Sequence, residues 1–395
     1  MINERLYYAD SYLRHFSAHV VARADRAGKP SVALDQSAFY PEGGGQPADT
    51  GTLDGIAVVD VQVEDGVVWH MLAQPLAGEV VQGQIDWSRR FDHMQQHHGQ
   101  HLLSAAFERL YELRTVSFHL GVASATIDLA ASALTAEQII AAEDLTNQVI
   151  WEDRPVLARF VSAEELAQLP LRKAPQVSGP VRVVSVPEFD HSACGGTHPR
   201  STGGVGLAHI RRWERRAGVV RVEFVCGDRA VRELRWKNAA LARIAGALSV
   251  GAEEVEAAVT RLRDAEERAR KRLQNLGDQL IDYEAQDLIA HAELVGSVRV
   301  VRRAYADRGL EEVRALARAI SAGGCIALLG LRAEKTQLIF ARAEGLALDC
   351  GKLLRETLAP FGGRGGGQPA LAQGGLPDAA SLEEALDAAV ERLRV

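Results

Sequence analysis

The chain has 395 residues, of which 47% are hydrophobic and 25% charged, the proportions of a globular protein with about two to four domains. Its formal net charge of −7 excludes a protein coated with positive charge, so a nucleic acid would have to bind at local basic patches. The four cysteines form no CxxC pair and no run of about 18 apolar residues occurs, which argues against a disulfide framework, a signal peptide and a membrane role and favours the cytoplasm.

Two patterns divide the first 228 residues. Residues 1–87 alternate apolar and polar side chains in stretches such as SVALDQSAFY, separated by Gly and Asp turns, which predicts a small β-barrel-like domain. From Ser88 the period becomes helical, and SRRFDHMQQHHGQHLLSAAFERLYEL predicts one long helix. Strands, a helix over TAEQIIAAEDLTNQVIWED, a polar and Gly-rich loop region up to Gly206 and two late strands follow. Residues 88–228 are therefore predicted to form a two-layer α/β domain within an α+β multidomain protein.

Residues 229–295 are predicted to form a helical hairpin. Apolar residues recur at alternating steps of four and three from Val255 to Asp287, the pattern of a coiled-coil seam, and SVGAEE separates this helix from one that ends at Leu248. A charged, solvated linker helix is the alternative. Stretches such as CIALLGLRA alternate with helical segments and predict a small α/β domain over residues 296–395. The helical region or this last domain is a candidate homodimer surface.

The hexapeptide GGGQPA occurs at residues 43–48 and again at residues 365–370. The first copy follows Phe39 and Tyr40 in a β-rich segment, whereas the second follows a helix and Pro360. Because the flanks share no period, a duplication is not indicated. We interpret the copies as two unrelated, flexible glycine turns.

A histidine-rich motif lies on the long predicted helix. In HHGQH, His97 and His101 are four residues apart, so both rings leave the same face of the helix. His93 precedes His97 by the same spacing, while His98 points in another direction. Taken alone, such a pair is more often solvated or part of a core than bound to a metal.

A second motif, DHSACGGTHPR, makes the metal interpretation stronger. Cys194 and His198 flank GGT, and the two glycines let the loop turn so that both side chains face one point. A lone cysteine is more often a buried apolar residue, but thiolate and imidazole ligands from helix and loop together predict a divalent metal, most simply zinc. Asp190, His191 and Asp92 are candidate partners for the ligand N–H groups, with ordinary loop and cap roles as the alternative.

FYPEGGGQPADTG, HMQQHHGQHLLSAAF and CGGTH together resemble the editing domain of alanyl-tRNA synthetases and the freestanding alanyl-tRNA editing proteins of the AlaX type. The resemblance covers residues 1–230, and GGRGGGQPALAQGG is similar to the small C-terminal domain of those synthetases, which DHH-type phosphoesterases share. It implies hydrolysis in trans of serine or glycine from alanine tRNA, because an alanine pocket admits glycine and cannot strongly reject serine. Since only residues 1–87 precede the HxxxH helix, we expect no aminoacylation activity.

Carried over residue by residue, the resemblance implies site roles. The zinc ligands would be His97, His101, Cys194 and His198. Gln46 would position substrate or water, Thr115 or Ser117 would sense the serine hydroxyl, and His119 would lie nearby, with ordinary strand roles as the alternative for the last three.

The chemistry of such a site leaves a choice open. Four protein ligands are typical of a closed structural zinc site, whereas metal catalysis needs an open position. Three arrangements would resolve this conflict. One ligand is displaced during catalysis, the ion becomes five-coordinate when substrate binds, or zinc only orients the substrate amine. No GxSxG motif is present, so direct attack by water is predicted.

Candidate tRNA contacts lie in RRWERR and in the second hexapeptide, at Arg211, Arg212, Arg215, Arg216 and Gln368. The arginines of RLRDAEERARKR alternate with acids and favour a solvated helix. Two other functions compete: a zinc-stabilised tRNA-binding module without catalysis, and a DHH-type nuclease. The nuclease is disfavoured because its Asp-rich metal motifs are not apparent in the N-terminal half.

Overall fold

In the computed structural model, which describes residues 3–173 and 179–394, the chain separates into two units between Ile244 and Ala245. Helices and several β-sheets are mixed along the chain, so the predicted α+β multidomain class is confirmed. This separation is coarser than the four predicted domains, whose boundaries stay a prediction. Among the described residues, no helix is both long and apolar enough to cross a membrane.

The N-terminal part of unit 1 is built mainly from strands, with a short 3-10 helix at Leu6–Tyr8. The strands are β1 (Glu4–Arg5), β2 (His15–Arg26), β3 (Lys29–Leu34), β4 (Gln36–Ser37), β5 (Gly51–Leu53), β6 (Ile56–Glu64), β7 (Val67–Leu72) and β8 (Val80–Ile85). Six of them close into a barrel in the order β2-β3-β7-β6-β5-β8, and β1 pairs with β4 beside it. Every second residue of β8 is buried, and Val81 and Ile85 pack in the barrel core. This alternate burial explains the period-two pattern of the sequence.

Within the described ranges, four α-helices and two sheets make up the rest of unit 1, and the last of these helices continues past Ile244. The elements are α1 (Trp87–Tyr111), β9 (Thr115–Leu120), β10 (Ala125–Leu129), α2 (Ala136–Trp151), β11 (Leu157–Val161), α3 (Ala163–Leu166), β12 (Val181–Val186), β13 (Asp190–Ala193), β14 (Ala208–Arg216), β15 (Val219–Cys226) and α4 (Gly227–Leu248). One sheet has the order β14-β15-β10-β9 and the other β11-β12-β13. Helix α1 begins where the Asp86 side chain accepts a hydrogen bond from the Arg89 amide.

The segment predicted as loop before Gly206 contains two strands. Val181–Val186 and Asp190–Ala193 form an antiparallel pair, and five of the six residues of the first strand are buried. The loop prediction was wrong here because the polar and glycine residues around the short VRVVSV stretch hide its strand pattern. These strands matter because the second one leads directly to Cys194.

Unit 2 contains the last sheet. Its elements are α5 (Val255–Ala290), β16 (Glu293–Val295), β17 (Val298–Tyr305), α6 (Leu310–Ala322), β18 (Ile326–Leu331), β19 (Thr336–Ala341), α7 (Cys350–Leu358), β20 (Arg364–Gly367), β21 (Leu371–Leu376) and α8 (Leu382–Arg392). The sheet order is β16-β17-β18-β19-β21-β20. The second GGGQPA copy therefore begins as an edge strand paired with β21, which corrects the predicted flexible turn. Gln368 lies in the turn that follows, where its backbone N–H and C=O groups are hydrogen-bonded to the backbone of Leu371.

The predicted coiled-coil residues lie on α5, which spans the helix that the pattern predicts. Several of them are exposed: Leu262 by 59%, Leu280 by 68% and Tyr283 by 70%. An apolar face of this kind is compatible with a coiled coil, but the partner helix and the homodimer stay predictions.

His70 predicts a pH dependence of folding. Its ring is fully buried in the barrel, with Nε2 2.7 Å from Ser37 Oγ and Nδ1 3.2 Å from the Val32 carbonyl oxygen. Burial lowers the pKa of His70 to about 4. Because this lies below the unfolded value of about 6.5, its contribution to stability is complete above that value and is lost as the pH falls toward 4.

We expect the free energy of unfolding to fall by up to about 3 kcal/mol over this pH interval because of His70. The variant His70→Gln should lose this part of the pH dependence. Urea unfolding of both proteins at about pH 7 and about pH 4.5 measures it. Equal loss of stability in both proteins would contradict the assignment to His70.

Candidate metal centre

Four side chains of unit 1 form a cluster. The donor atoms of His97, His101, Cys194 and His198 all lie within 4.8 Å of one another. Cys194 Sγ is 3.5 Å from His97 Nε2 and 3.3 Å from His198 Nε2. Burial opposes ionisation of Cys194, but the imidazoles of His97 and His198 hold its pKa well below the usual value. The thiol therefore ionises readily to the thiolate that metals bind. The four residues predicted as ligands are thus together and can hold a metal ion.

Helix and loop contribute two donors each. His97 and His101 lie on successive turns of α1, which is buried on all faces over this stretch. The loop after β13 brings Cys194 and His198 to them. Gly196 allows this approach, because a Cβ atom there would come within 2.3 Å of His97 Cε1. Its amide also donates a hydrogen bond to Cys194 Sγ at 3.3 Å.

Gln46 lies behind His97 rather than in the open cavity. Its Oε1 atom is 2.8 Å from His97 Nδ1 and accepts the Thr197 amide at 3.2 Å, while its Nε2 atom donates to Thr197 Oγ1 at 2.8 Å. The side chain is fully buried. Both ends of the Gln46 amide thus contact residues of the cluster or of the loop beside it, and a contact with substrate or water stays a prediction.

Asp190 occupies the corresponding position behind His101. Its Oδ2 atom is 3.3 Å from His101 Nδ1, and its Oδ1 atom accepts a hydrogen bond from Arg172 Nε at 2.5 Å. Burial opposes ionisation of Asp190, but His101 and Arg172 hold its pKa well below the usual value. Burial likewise disfavours a charged His101, yet the Asp190 carboxylate and the Cys194 thiolate raise the pKa of His101 to about 9. The contact fixes the ring so that Nε2 faces the cluster.

Two other predicted partners lie elsewhere. His191 Nδ1 is 2.9 Å from Ser185 Oγ, and the Asp92 carboxylate pairs with Arg229. Neither is hydrogen-bonded to a cluster residue among the described contacts, so both have the ordinary structural roles that the sequence left open.

A cavity of about 1410 Å³ opens onto the cluster. It is larger than the roughly 300–1,000 Å³ of ordinary small-molecule pockets. His97, His101 and Cys194 line it, and so do aromatic rings, among them Tyr7, Tyr8, Tyr40, Phe118 and Phe160. Cations outnumber acids in its wall: Arg5, Arg114, Arg172, Lys173 and Arg182 against Glu42 and Glu108. The site thus combines metal donors with a roomy, positively charged and partly aromatic surface.

The three residues predicted to surround the substrate separate into two groups. Thr115 and Ser117 on β9 line the cavity. The Thr115 hydroxyl donates to Ser104 Oγ at 2.7 Å, and the Ser117 hydroxyl donates to Asp128 Oδ2 at 2.6 Å. His119 lines a second, smaller cavity instead, and its place beside the substrate stays a prediction.

The arginines of RRWERR lie on the exposed strand β14. Arg211 and Arg212 both pair with Glu223, and Arg216 pairs with Glu214. Arg215 has no carboxylate partner within the described ranges. Three of these four charges are therefore already compensated.

Some residues of the site were not found from sequence. Arg182 is 6% exposed, and its Nη1 atom donates to the carbonyl oxygens of Cys194 and Gly196 at 3.0 and 2.9 Å. It holds the loop that carries the thiol. The strand stretch VRVVSV gives no signal of this role of Arg182. A signal existed for Thr197, which lies inside the CGGTH motif, and for His98, which follows His97.

Comparisons with known proteins match three segments of the chain. The family of class II tRNA synthetases (A) matches residues 9–89, and the second additional domain of threonyl and alanyl tRNA synthetases matches residues 181–223. The DHHA1 domain matches residues 313–394. A C-Ala domain of Aquifex aeolicus alanyl-tRNA synthetase is 23% identical and covers 26% of this chain and 98% of its own, with a TM-score of 0.25, too low to define the fold.

Several relatives match almost the whole chain, and two of them differ in how much of their own length is matched. The alanine–tRNA ligase of Natronomonas pharaonis is 36% identical over 99% of this chain, which spans only 44% of the ligase. The alanyl-tRNA editing protein AlaX-L of Pyrococcus horikoshii is 31% identical over 99% of this chain and 98% of its own length. Because this second similarity extends over nearly the full length of both proteins, the chain belongs to the AlaX family of alanyl-tRNA editing proteins.

Proposed function

We propose that the chain is a zinc-dependent deacylase that hydrolyses the ester between serine, or glycine, and the 3′ end of alanine tRNA. The observation that carries this proposal is the cluster of His97, His101, Cys194 and His198 at the wall of a large cationic cavity. The editing activity in the name of the Pyrococcus relative supports the reaction class.

The residues present fit zinc. Three imidazoles and one thiolate are donors that this ion prefers. The Nδ1 atoms of His97 and His101 each face an oxygen acceptor, so their Nε2 atoms are free to bind a metal. When bound, zinc supplies a Lewis acid that can polarise a carbonyl or lower the pKa of water.

The chain itself positions the reactants. Gln46 and Asp190 hold the rings of His97 and His101, and Arg182 holds the loop of Cys194. The cavity wall beside these residues can accept the aminoacyl end of a tRNA while the buried side of the cluster excludes water. Ester cleavage by water then needs no protein nucleophile.

Thr115 is the best candidate for sensing the serine hydroxyl. Its hydroxyl donates to Ser104 Oγ, which also accepts Gln100 Nε2 at 2.8 Å, so Thr115 belongs to the network on the turn that carries His101. Its oxygen can still accept a hydrogen bond from substrate. The Ser117 hydroxyl instead donates a hydrogen bond to Asp128, which is also paired with Arg221. Ser117 therefore belongs to an ion-pair network rather than to the residues around His101.

The cavity predicts where the tRNA backbone is bound. Arg114 lines the cavity and has no carboxylate partner in the parts of the chain described, whereas Arg212 on β14 is paired with Glu223. We expect Arg114→Ala to weaken binding of uncharged alanine tRNA and to reduce the slope of log affinity against log salt by about 1. The matched variant Arg212→Ala should change both quantities much less.

Fluorescence anisotropy with labelled tRNA over a range of salt concentrations measures both effects. A larger loss for Arg212→Ala than for Arg114→Ala would place the phosphate contacts on the β14 hairpin instead, as RRWERR suggests.

A deacylation assay tests the function itself. The purified protein is incubated with serine-charged, glycine-charged, alanine-charged and threonine-charged tRNA, and release of the amino acid is measured. Catalytic release of serine or glycine, with alanine tRNA largely spared, supports the deacylase. A zinc-stabilised binding module would bind these tRNAs and leave every ester intact.

A further inference from the structure

His98 lies behind the cluster and contacts one of its members. As the residue after His97, it leaves the helix about 100° around its axis, so it does not share the face of the two ligands on α1. Its side chain is fully buried, and its Nδ1 atom is 3.2 Å from His198 Nδ1. The rings meet edge to face, with centroids 5.2 Å apart.

Only one proton fits between these two nitrogen atoms. His198 Nε2 faces the cluster, 3.3 Å from Cys194 Sγ, so a His198 that binds a metal through Nε2 must carry its proton on Nδ1. That N–H group then donates to His98 Nδ1, which must be unprotonated. A second proton would place two N–H groups against each other.

We propose that His98 is a positioning residue that accepts the Nδ1 proton of His198 and so fixes the tautomer and orientation of this ligand. The inference rests on the proposed zinc site. It completes a set in which every ligand histidine has a polar group behind it: Gln46 for His97, Asp190 for His101 and His98 for His198.

The other ring nitrogen of His98, Nε2, is consistent with this role. With Nδ1 as acceptor, its proton is on Nε2, and that atom is buried without a hydrogen-bond partner among the described residues. Leaving a buried donor unpaired is unfavourable, so an apolar side chain would pack at this position more easily. The contact with His198 gives a reason for a histidine there.

The variants His98→Leu and His98→Asn separate positioning from simple packing. Asparagine presents its side-chain oxygen at the same number of bonds from Cβ as histidine presents Nδ1, so it can still accept the His198 proton, whereas leucine cannot. We expect His98→Leu to lower the affinity for zinc by about 10- to 100-fold and His98→Asn to restore most of it. Competition with a chelator on the intact protein measures the affinity, and the absorption spectrum of the cobalt-substituted protein reports the ligand geometry.

His93→Leu is the matched control. His93 is also buried on α1, also has an orphaned Nδ1 atom, and is not a member of the cluster. It should bind zinc like the wild type. Equal zinc affinity in the wild type and His98→Leu, or equal losses in all three variants, would overturn the positioning role.

A measurement on the wild type covers the case that His98→Leu does not fold. Long-range proton–nitrogen spectra of the zinc-loaded protein should show His98 protonated on Nε2 and His198 on Nδ1. The opposite tautomers would overturn the inference. Wild-type protein that binds no zinc would overturn both it and the proposed metal site, whereas zinc binding with absent deacylation would contradict only the proposed function.

Discussion

Cys194→Ala should lower zinc affinity by about 100- to 1000-fold and abolish deacylation. Four ligands of a structural zinc site together contribute about 10–16 kcal/mol, so one ligand accounts for roughly 2.5–4 kcal/mol, which is this change in affinity. Cys194 supplies the thiolate and contacts two of the three histidines of the cluster. Metal analysis of the purified protein, chelator competition and the deacylation rate measure the effect.

Cys350→Ala is the control for this substitution. Cys350 is fully buried in the core of unit 2, whereas the cluster belongs to unit 1. The variant should retain one zinc ion per chain and the wild-type rate. Loss of zinc in the control, or full activity of Cys194→Ala without zinc, would contradict the assignment of the metal centre.

Asp49→Ala should destabilise unit 1 by about 3–5 kcal/mol, because it leaves a buried arginine without its counter-charge. Asp49 and Arg90 are both fully buried, and Arg90 Nε is 3.0 and 2.9 Å from the two carboxylate oxygens. The carboxylate also accepts the Tyr40 amide at 2.7 Å. This pair joins the start of α1 to the segment around the first GGGQPA loop, so its loss should disturb the helix that carries His97.

Denaturant unfolding of Asp49→Ala and of Glu165→Ala provides the comparison. Glu165 pairs with Arg159 on the exposed surface, where solvent screens the charges and an ion pair contributes little to stability. A similar, small change in both variants would show that the Asp49–Arg90 pair does not hold the helix in place.

The sequence was most informative where a spacing or a period encodes the structure directly. The four-residue spacing of His97 and His101, and the glycines between Cys194 and His198, predicted side chains that the fold does bring together. Strand β8 of the barrel follows from alternation, because it buries every second residue.

Residues that act through other residues were harder to predict. Gln46 was expected to position substrate or water, whereas in the structure it bonds His97 and Thr197, which come from two parts of the chain distant from it in sequence. His98 has a neighbour a hundred residues away, and no local pattern announces that contact. Strand alternation indicates a face of β9 but not which of two cavities lies beside it, so the sequence could not predict that His119 lines the smaller one.

The rate of deacylation of serine-charged alanine tRNA, measured before zinc removal, after it and after zinc is restored, tests the central claim most directly. The proposed function predicts catalytic release of serine by the zinc-loaded protein, loss of that activity with the metal and its return on reloading, with alanine-charged tRNA hydrolysed far more slowly. A folded, zinc-loaded protein that binds the charged tRNA but releases neither serine nor glycine would contradict it.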